Sequence, residues 1–295
     1  MTTTPTETEN ETGEMMLAGR FYGVGETEPL RLEQIARPTP GPGEVLMRVR
    51  ACGLCGSDLH LIFEQSVRSA YVPITPGHEP AGQVAKIGDG VRGWKIGDRA
   101  AIVPGTWCGS CFACMDGHNE LCENAVLFGF QGEGALAEYI KVPAQNLVRI
   151  PAGVPFTQAA IVTDAVATPF HAITSVGKLK AGETVALFGA GGLGMQAVQI
   201  ARLAGAARII VVDLRQEVLG RARKFGADDV INASEGDPVT AIREMTGGRG
   251  VDMAVELVGY AKTVEQAVRC LRPGGRAVIC GVGDEKAELP PRSSL

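Results

Sequence analysis

TVALFGAGGLGMQAVQIARLAGAARIIVVD (184–213) carries the pattern that decides the fold. Thr184–Phe188 is an apolar run with the composition of a buried strand. Gly189-Ala190-Gly191-Gly192-Leu193-Gly194 follows it directly. Apolar or small residues at Leu193, Ala197, Ile200, Ala201 and Ala204 then trace one helical stripe, and Gly205 is placed to end it. A second strand, Arg208–Val212, ends at Asp213. A bare G-x-G-x-x-G is weak evidence. One that leaves a strand, opens a helix and precedes an acid at the end of the next strand is a strong dinucleotide signature. In that reading Gly189 makes the tight turn, Gly191 lets a pyrophosphate approach the backbone, and Gly194 lets helix and strand pack closely. Gly192 and Leu193 begin the helix, whose free amides and dipole favour an anion. Asp213 would accept from the adenosine ribose 2′-OH and repel a 2′-phosphate, so NAD is expected over NADP, with Arg215 a weaker signal the other way.

The same alternation continues downstream: helix Gln216–Phe225, strand Asp229–Ile231, helix Pro238–Met245, strand Val251–Leu257, helix Ala261–Leu271, strand Arg276–Gly281. Five strands in βα alternation imply a doubly wound parallel sheet, hence an α/β fold over residues 156–295. Upstream the text is different. Short strand-like runs fall at Met15–Tyr22, Leu30–Ile35, Glu44–Ala51, Gly82–Ile87, Arg99–Val103, Ala135–Val142 and Leu147–Ile150, punctuated by turn chemistry such as PTPGPG (38–43). They predict a small β-barrel-like domain over residues 15–155. Two domains suit 295 residues. Residues 1–14, MTTTPTETENETGE, have neither a basic head nor an apolar stretch, and are expected to be a disordered tail rather than a secretory signal.

Composition narrows the class. Hydrophobic residues make up 45% and charged residues 21% of the chain, an ordinary globular balance. A net charge of −5 with no Lys/Arg run argues against nucleic acid or an anionic membrane as partner, and no apolar run reaches about 18 residues. Eight cysteines without an export signal point to a reducing, cytoplasmic setting, where clustered thiols mean metal more often than disulfides.

The chemistry-bearing residues lie in the barrel. ACGLCGSDLH (51–60) packs Cys55, Ser57, Asp58 and His60 together. Cys55 can ligate a metal as thiolate, Ser57 and His60 can pass protons, and Asp58 can orient a neighbouring histidine; a polar turn after strand Glu44–Ala51 is the alternative. His78 and Glu79 follow PITPG, and a Cys and a His on neighbouring loops, each beside a carboxylate, suit a zinc site. Cys108, Cys111, Cys114 and Cys122 can close a tetrahedron around a structural zinc, leaving no position for substrate; a disulfide knot is the alternative. His118 reads as a loop residue, and Cys270 and Cys280 read as core. Phe156–Ala172 is apolar with helical tendency and contains an isolated Asp164, either a cap or a third metal ligand; His171 reads as structural.

In order and combination, GLCGSDLH (53–60), GHE (77–79), the four-Cys lobe (108–122) and GAGGLG (189–194) with Asp213 are highly specific. From about Met16 to about Gly283 the chain resembles the zinc-containing medium-chain alcohol dehydrogenases. The resemblance implies a GroES-like catalytic barrel joined to a Rossmann domain. It implies a catalytic zinc held by Cys55, His78 and, from TDAVATPFHA (163–172), Asp164, with Glu79 beside the metal and able to approach it. It implies that Asp58 orients His78 and that Ser57 with His60 begins a proton path. The expected activity is hydride transfer between a primary or secondary alcohol or polyol and NAD, in a homodimer or homotetramer. Family members continue past the fifth Rossmann strand; this chain is expected to lack the sixth strand and the returning segment. That leaves strand 276–281 an edge. A zinc- and nucleotide-binding chain without turnover is the competing expectation.

Overall fold

The computed structural model describes residues 13–64 and 66–289, so the tail expected over residues 1–14 falls almost wholly outside the described residues. The N-terminal half is antiparallel. β1 (Met15–Phe21) and β2 (Leu30–Ala36) form a hairpin with Met15 opposite Ala36. β3 (Glu44–Gly53), β4 (Glu79–Ile87), β5 (Arg99–Ile102), β6 (Tyr139–Pro143) and β7 (Leu147–Arg149) form a sheet in the order β6-β3-β4-β5-β7. Val45 and Met47, Ala100 and Ile102, and Ile140 and Val142 alternate into one buried cluster, the period-two pattern of strands with a single covered face. Bridges Ala18–Ala137 and Phe21–Ile74 attach the hairpin.

The β3–β4 ladder positions the chemistry. It ends with Gly53 opposite Glu79, so Cys55, just beyond β3, and His78, just before β4, emerge at the same end of the sheet. Beyond Cys55 the chain turns into α1 (Gly56–Leu59) and a π-helical turn, His60–Glu64. The strand expected from Ala135 begins only at Tyr139. The amides of Gly134, Ala135 and Leu136 instead bond the carbonyls of Thr75, Gly77 and Pro76, bracing the loop that carries His78. The four-Cys segment forms its own lobe around α2 (Phe112–Met115).

The single helical run expected over Phe156–Ala172 is divided. α3 (Phe156–Ala160) passes into a 3-10 turn, Ile161–Thr163; α4 (Ala167–Phe170) then passes into a π-helical turn, His171–Val176. Asp164 stands at the break with φ −134° and ψ −70°, outside the helical region. Pro169, without an amide hydrogen, cannot support a continuous ladder there. Apolar content here reports neither backbone continuity nor full burial, since Val162 and Phe170 are exposed. His171 is exposed rather than packed.

The C-terminal half is the expected α/β layer. β8 (Thr184–Phe188), β9 (Arg208–Asp213), β10 (Asp229–Asn232), β11 (Val251–Glu256) and β12 (Leu271–Ile279) are all parallel, in the order β10-β9-β8-β11-β12. They alternate with α5 (Gly192–Leu203), α6 (Gln216–Lys224), α7 (Pro238–Met245) and α8 (Ala261–Arg269). Val185, Leu187, Ile209, Val211, Met253 and Val255 enter one buried layer; Ala186, Phe188, Ile210, Val212 and Ala254 enter the other. Burial on both faces is why these strands read as continuous apolar runs. Strand order reverses between β8 and β11, and a crevice for a ligand is expected outside the carboxyl ends of the strands there. Cys270 is fully buried as expected, whereas Cys280 is only partly so. β12 pairs with β11 alone among the described residues, and no single helix among them is long and apolar enough to cross a membrane.

Gly194 shows how tightly helix and strand meet: a Cβ there would lie 2.1 Å from the Gly189 carbonyl oxygen. Gly194→Ala is therefore expected to push α5 off β8, lowering stability by about 1–3 kcal/mol in urea melting and weakening NADH binding in parallel.

Candidate active site and metal centres

At the end of the β3–β4 pair, four donors converge. Cys55, His78, Glu79 and Asp164 each offer one ligand atom, and these atoms all lie within 4.8 Å of one another. His78 is 4% and Glu79 2% exposed, which decides that these are not solvated surface groups. The His78 Nε2 sits 3.2 Å from Asp164 Oδ2. On the other side of the ring, Nδ1 is 3.4 Å from Asp58 Oδ1, and neither atom has another partner among the described residues. Asp58 Oδ2 accepts from the Cys55 amide at 2.9 Å, capping α1, so one buried carboxylate holds both the Cys55 loop and the His78 ring. The Phe130 ring packs on His78 at 5.0 Å.

Electrostatics favour a cation here. Burial lowers the His78 pKa, but donation from the ring to Asp164, Asp58 and Cys55 outweighs it and lifts the value to about 12. Burial first, and the Asp164 carboxylate second, push Glu79 up to about 7. For Asp164 burial acts upward, yet hydrogen bonds from His78 and Thr168 bring it down to about 2. Three buried or half-buried carboxylates and a thiol around one imidazole carry more negative charge than a single imidazolium balances. A mixed sulfur, nitrogen and oxygen donor set of this size fits zinc, and a carboxylate behind the ligating histidine is the usual orienting partner.

The break at Asp164 now has a consequence. A continuous helix would fix Asp164 by helical periodicity; the interruption lets its carboxylate turn to His78 while Thr168 Oγ1 donates to its Oδ1 at 2.5 Å. The sequence pattern gives no role to Thr168, Phe130 or Gly53, although Gly53 opens GLCGSDLH and Thr168 lies within TDAVATPFHA. A Cβ on Gly53 would lie 1.9 Å from Glu79 Oε2, so only glycine lets that carboxylate lie across the backbone. The one readable trace of these supports is the four-residue spacing of Asp164 and Thr168.

The expected relay residues are placed separately. Ser57 Oγ is 3.8 Å from Cys55 Sγ. The His60 Nδ1 is 2.6 Å from Glu64 Oε2, and its ring lines a cleft of about 530 Å³ shared with Gly189, Gly191 and Asp213. No hydrogen bond joins Ser57 to His60 among the described residues. Gly189 takes φ +92°, and nothing stands within 4 Å of where a Cβ on Gly191 or Gly192 would be, so the backbone there is open to a ligand. Gly191 is the N-cap of α5, and Leu193 lies in its first turn. Asp213 Oδ2 accepts from the Ala190 amide at 2.9 Å and Oδ1 from the Arg215 amide at 3.0 Å. Arg215 lines the same cleft.

In the lobe, the ligand atoms of Cys108, Cys111, Cys114 and Cys122 also lie within 4.8 Å of one another, and all eight cysteines are free. The Ser110 amide and hydroxyl, with the Cys111 amide, hold the Cys108 thiol well below its usual range. The Cys122 sulfur accepts from the Cys108 amide at 3.3 Å. His118 stays outside the group on an exposed turn.

A family model for the alcohol dehydrogenase GroES-like domain matches residues 41–152, and one for the zinc-binding dehydrogenase matches residues 192–295. The chain belongs to the zinc-containing medium-chain alcohol dehydrogenase family. It is 35% identical over 284 residues to the L-threonine 3-dehydrogenase of Pyrococcus horikoshii, covering 92% of this chain and 79% of that protein. An NAD-dependent alcohol dehydrogenase of Sulfurisphaera tokodaii is 36% identical, with 90% and 78% covered. Among solved structures, the cobalt- and zinc-bound alcohol dehydrogenase of Pyrobaculum aerophilum superimposes with a TM-score of 0.82 at 30% identity, covering 94% of this chain and 80% of that one.

Two zinc ions per chain are expected by mass spectrometry, falling to one in Cys114→Ser or in Cys55→Ser. Zinc uptake at the buried site requires neutral His78, which its acidic neighbours keep protonated up to about pH 12, so uptake should release protons and affinity should fall steadily as pH is lowered through the neutral range. Titration calorimetry in buffers of different ionisation enthalpy measures both.

Proposed function

We propose that this chain is a zinc-dependent dehydrogenase that moves a hydride between a primary or secondary alcohol, or a polyol, and NAD. The observation that carries the reading is the convergence of Cys55, His78, Glu79 and Asp164 on the barrel end whose next helical turn, at His60, walls the glycine cleft. Zinc would supply a Lewis acid and NAD the hydride acceptor. The protein's part is to hold both and place the reacting groups together.

Cys55, His78 and Asp164 are the proposed ligands. Glu79 is the fourth donor, close enough to exchange with them. Asp58 keeps the Nε2 face of His78 turned toward the ligand group. Ser57, beside Cys55, takes the proton of the substrate hydroxyl, and His60 passes it toward solvent with Glu64 as its partner. Because the two are not bonded directly here, the ribose or a solvent molecule between them is part of this proposal. Gly189, Gly191, Gly192, Leu193 and Gly194 seat the pyrophosphate on the start of α5, and Asp213 takes the ribose hydroxyl. The lobe cysteines hold a structural zinc. Eight free thiols suit the reducing cytoplasm.

A panel of alcohols and polyols with NAD and NADP tests this. Expected is alcohol-dependent NADH formation, lost by about a thousandfold or more in His78→Ala. NAD binding without any reduction would favour the non-catalytic reading instead. Asp213→Ser should shift the NAD-to-NADP preference by about tenfold, through the lost repulsion of a 2′-phosphate and the Arg215 side chain nearby.

A further inference from the structure

Glu256, the last residue of β11, is completely buried yet takes no part in the metal group. Its Oε1 accepts three hydrogen bonds: from the Val258 amide at 2.8 Å, the Gly259 amide at 2.9 Å and Thr263 Oγ1 at 2.7 Å. Its main-chain oxygen accepts from the Cys280 amide at 2.8 Å and the Gly281 amide at 3.2 Å. Its Oε2 has no partner among the described residues. That oxygen lies toward Gly281, where an added Cβ would come within 2.6 Å of it.

One residue thus ties two backbone segments together. The first, Leu257–Tyr260, leads into α8; the second, Cys280–Gly283, leaves β12. They are in direct main-chain contact. A Cβ on Gly259 would lie 2.4 Å from the Val282 carbonyl oxygen, and one on Gly283 would lie 2.1 Å from the Gly259 carbonyl oxygen. Leu257, Val258, Tyr260 and Thr263 all line the glycine cleft. Such an arrangement has a cost. A buried carboxylate with one oxygen unpaired is unfavourable, and a fold needing only a strand end there would do better with an apolar residue. Amides of a two-residue turn gathered on a single oxygen are the geometry that fixes backbone direction.

We propose that Glu256 is a positioning residue for the dinucleotide: it sets the cleft wall beside the glycine turn, where Val258 lies against Gly189, by the reach of Oε1 rather than by its charge. This rests on the cofactor reading above. Two near-isosteric variants separate reach from charge. Glu256→Gln keeps an acceptor at the same distance and removes the charge. Glu256→Asp keeps the charge and withdraws the oxygen from the Val258 and Gly259 amides.

The measurement is the dissociation constant for NADH, from its fluorescence, on the full chain, with a thermal melt of each free protein. Expected is binding weakened by about tenfold or more in Glu256→Asp and within about threefold of the parent in Glu256→Gln. The reverse order, unchanged binding in both, or a lowered melting temperature in Glu256→Asp with unchanged affinity would overturn the proposal. Where Glu256→Asp does not fold, hydrogen exchange of the parent chain decides. Peptides covering 257–263 and 280–283 should gain protection together on adding NADH, and no gain overturns the proposal. If the parent chain itself fails to bind NADH, the cofactor reading falls first, which distinguishes the two failures.

Discussion

The end of the barrel that gathers Cys55, His78, Glu79 and Asp164 depends on one buried carboxylate. Asp58, 1% exposed, accepts from the Cys55 amide with one oxygen and faces the His78 ring with the other. A lone buried charge would be costly, and Asp58 is tolerable because it is shared between a helix cap and an imidazole. The sharing has a geometric result. Cys55 and His78 lie on different strand ends, but a single rigid side chain spaces them. The β3–β4 ladder brings the two loops to the same end; Asp58 then converts proximity into register.

From the opposite side, Asp164 completes the same imidazole. It comes from the segment joining the barrel to the parallel sheet, and its carboxylate is available because the helix is interrupted there. The site is therefore built across the junction between the two halves of the chain. The glycine cleft is walled on one side by His60, from the helical turn that follows Cys55.

The parallel sheet was legible because its physics is local. Burial on both faces makes β8, β9 and β11 continuous apolar runs, and the turn after β8 demands glycine where a side chain would meet the Val258 side chain or the Gly189 carbonyl. The barrel strands were legible to within a few residues, except where β6 starts late. Residues 134–136 have the composition of a strand, but their amides bond across to the 75–77 loop. The donor types were legible too, since thiol, imidazole and carboxylate chemistry belongs to the side chain wherever it lies.

By itself, the sequence determined the α/β class, the order of the two halves and the glycine-turn motif, because these follow from periodicity and spacing, and it supplied the thiol, imidazole and carboxylate candidates for a metal through intrinsic side-chain chemistry. Only the tertiary structure decided that Asp164 turns to His78 at a break in a helix and that Gly53 makes room for Glu79. It also decided that Glu256 gathers the turn amides beside the cleft and that Ser57 and His60 stand apart. Each of these depends on distances between segments far apart along the chain, and a one-dimensional pattern carries no term for them.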